Sequence, residues 1–112
     1  MIEELMKCSE DIQRQVHHAD SLGDLDSGET PKTFEEYMQN YLKSKHSTDR
    51  RTMLVRHNGG KAQRYICGYV LHGNVITFNG FVDESVSEQD GKKMDDELFK
   101  CLEKYFSGSN FV

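Results

Sequence analysis

TMLVRHNGGKAQRYICGYVLHGNVITFNGFV, the stretch from Thr52 to Val82, decides the fold, because its apolar side chains recur with period two and glycine-bearing turns break the runs. Thr52–His57 reads as a short strand. Asn58-Gly59-Gly60 supplies residues that accept positive φ, and Gln63–Leu71 is a second strand closing a hairpin. His72-Gly73-Asn74 marks another turn before a third strand, Val75–Val82. On that strand Ile76, Phe78, Gly80 and Val82 share the face expected to be core, opposite Val75, Thr77, Asn79 and Phe81.

On either side the period lengthens to that of a helix. Upstream, Leu5, Cys8, Ile12, Val16 and Ala19 form one thin stripe, with Ile2 a turn earlier, and predict an N-terminal helix over residues 1–20. Residues 21–31 hold glycines, small polar residues and the only proline, and read as a linker. Thr33 followed by Glu36 is a capping box ahead of Phe34, Tyr37, Met38, Tyr41 and Leu42, so a second helix begins there. Downstream, either Ser85 or Ser87 caps a last helix carrying Met94, Leu98, Cys101, Leu102 and Tyr105, which Gly108 ends. The expectation is one α+β domain over residues 1–112: a three-stranded antiparallel meander with helices before and after, its α-β-β-β-α core spanning 32–107. Phe78 and Leu102 are its expected core anchors.

Charge is segregated along the chain. Residues 1–31 carry eight acids against two bases, 32–72 three against eight, and 73–112 eight against four, within a net charge of −5. Such fields select partners rather than folds. Three scattered cysteines make no disulfide framework, no apolar run approaches the roughly 20 residues that span a bilayer, and the start lacks a signal-peptide pattern. A cytoplasmic protein with no membrane partner is expected.

Catalytic and metal patterns are weak. His17, His18 and Asp20 near Cys8 lack helical ligand spacing, since adjacent histidines diverge by about 100°. Cys67 and Cys101 fall on apolar faces, and Gly59-Gly60-Lys61 lacks the strand-to-helix context of a phosphate loop. The expectation is therefore no enzyme, no cofactor and no metal. Three surfaces remain as candidates. Glu84, Glu88, Asp90, Asp95, Asp96 and Glu97 form an acidic run that would engage a basic, nucleic-acid-binding protein by mimicking phosphates. Arg50, Arg51, Arg56, Lys61 and Arg64, with Lys43 and Lys45, concentrate in the middle of the chain and would contact nucleic acid directly, unless they face the acidic flanking helices. Tyr65 and Tyr69 share a strand face that the first helix, a second copy in a homodimer, or a protein partner must cover.

Across residues 31–106, the order helix-strand-strand-strand-helix, with Thr30-Pro31 at its opening and Gly91-Lys92-Lys93 near the last helix start, resembles the double-stranded-RNA-binding domain. The resemblance implies phosphate contacts from Lys92 and Lys93, although Asp95, Asp96 and Glu97 stand where that family carries small and basic residues. By architecture and acidity the chain is also similar to small phage anti-defence inhibitors of the anti-CRISPR type. That similarity implies an inhibitor that occupies a macromolecular surface.

Overall fold

The computed structural model describes residues 1–45 and 51–108. Four antiparallel strands form a meander in the order β1-β2-β3-β4: β1 Ile2–Glu4, β2 Thr52–Asn58, β3 Lys61–Leu71 and β4 Asn74–Phe81. The three central-sequence strands match the period-two reading to within two residues at each end. Their turns are tight for the expected reason: Gly59 and Gly60 have φ of 60° and 77°, and His72 and Gly73 have 51° and 81°, the left-handed pairs that suit two-residue hairpins.

The N-terminus departs from the sequence expectation. Residues 2–4 are an edge strand on β2, with Ile2 opposite Arg56 and Glu4 opposite Leu54, so the sheet has four strands rather than three. After a single 3-10 turn at Leu5–Lys7, Ser9 caps helix α1, Glu10–Asp26, by accepting a 3.3 Å hydrogen bond from the Ile12 amide. The helical spacing of Ile2, Leu5 and Cys8 is carried by strand and turn instead, because pairing with β2 satisfies backbone groups that so thin a stripe cannot protect. Most of the expected linker belongs to α1 as well. Helical hydrogen bonding continues past Gly23 to Asp26, and only a short connection leads to helix α2, Phe34–Lys45. Thr33 caps α2 as the capping box predicts, with Glu36 N donating to Thr33 Oγ1 over 3.2 Å.

Helices cover both faces of the sheet. Leu5, Ile12 and Val16 pack with Val55, Tyr65 and Tyr41 on one face, under α1 and α2. On the other, Leu98 and Leu102 of helix α3, Glu88–Phe106, close over Leu54 and Ile66. Gly68 makes room for α3, since a Cβ there would lie 2.2 Å from Leu102 Cδ2. Among the described residues no helix is long and apolar enough to cross a membrane.

One expected core residue is on the surface. Phe78 is 55% exposed, whereas Leu102 is completely buried. The reason lies in α1: beyond Ala19 its sheet-facing positions are Asp20, Gly23 and Asp24, which offer no apolar side chain to reach the β3–β4 corner.

Candidate functional site

Four cations of the basic segment are paired with the chain's own carboxylates, two of these on α3. Arg64 holds Asp95 through two bonds of 2.5 and 2.9 Å, Arg56 Nε pairs with Glu97 at 3.0 Å, and Lys61 with Asp83 at 3.2 Å. Lys45 reaches the carboxylate of Glu4, a residue only 2% exposed that also accepts from the Met6 amide. A buried carboxylate is tolerable only with such pairing. Of the basic candidates, Arg50 lies outside the described residues. Arg51 is exposed with its guanidinium 5.8 Å from the Tyr69 ring centre, and Lys92 and Lys93 project from α3 across the sheet from it. The structure does not bring these cations to one surface. Of the acidic candidates, Glu84, Glu88, Asp90 and Asp96 are exposed, with Lys92 and Lys93 set between them in the chain.

The two tyrosines have separate fates. Tyr65 is buried, its ring lying over Gly80 directly opposite on β4, where a Cβ would come within 2.0 Å of the ring. An aromatic ring laid over a glycine on an edge strand shields backbone that has no side chain of its own. The Tyr65 hydroxyl donates to Asp20, which also accepts from Tyr37. Both phenols have pKa values driven well above the ordinary tyrosine range, by burial first and then by the Asp20 charge. Asp20 is thus the polar floor of a groove of about 740 Å³ between α1 and α2, bordered by Arg51, Lys32 and Asp24. In the sequence it stands out only beside His17 and His18, in a pattern without metal-ligand spacing. Its role becomes visible only when three distant segments meet.

Tyr69, by contrast, is half-buried and stacks on Phe78, ring centres 6.0 Å apart with planes 21° from parallel. Leu71, 43% exposed, extends this corner's apolar surface to the end of β3, while Phe81, 40% exposed, stands at the far end of β4 beside Arg64. This corner ends in β4, whose outer edge pairs with no strand among the described residues. Edge strands of soluble proteins are ordinarily blunted by charge, proline or a bulge. Asn74-Val-Ile-Thr-Phe-Asn-Gly-Phe81 carries no charged residue and no proline, and among the described residues its pairing with β3 shows no bulge, the register shift lying between β2 and β3 near Arg56 and His57.

Burial raises the thiols of Cys8, Cys67 and Cys101 above the ordinary cysteine value. Burial, aided by the Glu3 charge, pushes Cys8 up to about 12, and burial pushes Cys67 up to about 11. A reactive cysteine requires the opposite shift. No protein-family model, curated protein or solved structure matches this chain.

Proposed function

We propose that this chain is a non-enzymatic binding protein, an inhibitor or regulator that occupies a surface of another macromolecule, and that it does so through the β4 edge and the adjoining Tyr69–Phe78 face. The observation that carries this reading is the uncharged, proline-free edge of β4, flanked by the stacked pair of half-buried Tyr69 and exposed Phe78. Such an edge offers a row of backbone donors and acceptors to an extended segment, and the aromatic pair with Arg51 supplies the residue types that dominate binding energy at interfaces. The acidic surface is the weaker candidate. Asp95 and Glu97 already serve Arg64 and Arg56, which reduces the phosphate-like run to Glu84, Glu88, Asp90 and Asp96.

A nucleic-acid-binding module is the second reading, favoured by Arg51 over Tyr69 beside Phe78, since exposed aromatics with an arginine also stack unpaired bases. The two are separated by capture from the host on the full chain, with identification of what is retained before and after nuclease treatment. Phe78→Lys and Asn79→Lys should weaken retention of a protein partner by about tenfold or more, while Glu88→Lys and Asp96→Lys leave it unchanged. Loss with the α3 variants and retention with the β4 variants would return binding to the acidic surface. Nuclease-sensitive retention lost in Arg51→Ala would establish the second reading. Association of the chain with itself, removed by Phe78→Lys in sedimentation equilibrium, would identify the occupant of the edge as a second copy.

A further inference from the structure

Beneath β1, a carboxylate, a thiol and an imidazole from three segments converge. Glu3 stands opposite Val55 in the β1–β2 ladder, and His57 lies two residues along β2 on the same face. Cys8, 7% exposed, follows the 3-10 turn and faces the same point. The three side chains offer ligand atoms that all lie within 4.8 Å of one another. The register between β2 and β3 shifts beside His57, where Gln63 on β3 is the extra residue.

Two details distinguish this cluster from an ordinary ion pair. Glu3 Oε2 and His57 Nε2 are 3.3 Å apart, yet His57 Nε2 is shielded from solvent and makes no aligned hydrogen bond among the described residues. The nitrogen is directed past the oxygen. Two atoms each about 2.0–2.1 Å from one tetrahedral ion are about 3.3 Å apart, so this spacing is that of co-ligands sharing a third point.

We infer that Glu3, Cys8 and His57 form a site for zinc or a similar borderline divalent transition metal, with the fourth position left to water or to a ligand from a partner. Thiolate with imidazole selects such ions over calcium or magnesium, which prefer all-oxygen shells. On binding, the Cys8 thiol releases its proton to solvent, and its weak 3.5 Å contact with the Glu4 carbonyl gives way to the metal–sulfur bond. The ion ties the three-residue β1 to β2, adding to the hydrogen bonds that Met1 exchanges with His57. His17 is no competing ligand, since its Nε2 is already within 2.7 Å of the Lys32 carbonyl oxygen.

The test is titration of the full chain, reduced and freed of metal by chelation, with zinc by calorimetry and with cobalt by absorption. One zinc per chain and a thiolate-to-cobalt charge-transfer band are expected. Cys8→Ser should abolish the band. Because Cys8 is buried and its replacement can disturb folding, His57→Gln and Glu3→Gln are the decisive variants. Each should weaken zinc binding by more than the roughly 10–100-fold that loss of a supporting hydrogen bond costs at metal sites. Cys67→Ser and His17→Gln should leave both readouts unchanged. Absence of one-to-one zinc binding overturns the proposal, as does binding that survives His57→Gln or depends on Cys67 or His17.

Discussion

Phe78 and Leu102 have similar hydrophobicity in the sequence and opposite roles in the molecule. Leu102 is fully buried against Gly68 and Ile66, so Leu102→Ala should destabilise the protein by about 2–5 kcal/mol, measured as a shift in the urea midpoint. Phe78→Ala should change stability by no more than about 0.5 kcal/mol, because the side chain is over half exposed. Equal losses for the two would return Phe78 to the core. Asp20 was equally hard to read. Nothing in its neighbours His18, Ala19 and Ser21 signals that Tyr37 and Tyr65, 17 and 45 positions away, will donate hydrogen bonds to it.

At the level of elements, the capping chemistry was legible and one choice stayed open. Ser87, not Ser85, caps α3: its Oγ accepts a 3.1 Å bond from the Asp90 amide, whereas Ser85 closes a turn with Asp83. Ser87→Ala should therefore lower stability by about 1 kcal/mol in a thermal or denaturant melt, with a smaller loss for Ser85→Ala. The reverse order would move the start of α3 upstream. The first helix was misread because a spacing of three and four residues does not distinguish a helix from a strand, a turn and a helix in succession. Ser9, followed by Glu10 and Asp11, carried the start signal within that longer pattern.

For the whole molecule, the junction of α1, α2 and the sheet makes stability fall in alkali. Tyr37 and Tyr65 face Asp20, with Asp24 and Arg51 nearby, and both hold their protons well above the ordinary phenol value of 10.0. Below about pH 10 the phenols are protonated in folded and unfolded chains alike, and their contribution is complete. Above it the unfolded chain releases those protons while the fold retains them, so stability decreases as pH rises. Urea midpoints should be level from about pH 7 to 9 and decline beyond about pH 10, less steeply in Tyr37→Phe than in the parent. A decline of the same slope in both would remove Tyr37 from the linkage.

The sequence by itself determined the α+β class, the two hairpin turns, the caps at Thr33 and the end at Gly108, because each depends on periodicity or φ preference within a few residues. Tertiary structure alone decided which charges face one another, which aromatic of the tyrosine face is covered, and that Ile2–Glu4 joins the sheet. Pairings such as Arg64 with Asp95 and Glu3 with His57 link residues 31 and 54 positions apart, and no local pattern encodes them. They arise when the sheet sets two faces, the apolar residues of α1 beyond Ala19, Leu22 and Leu25, stay exposed, and the β3–β4 corner is left uncovered.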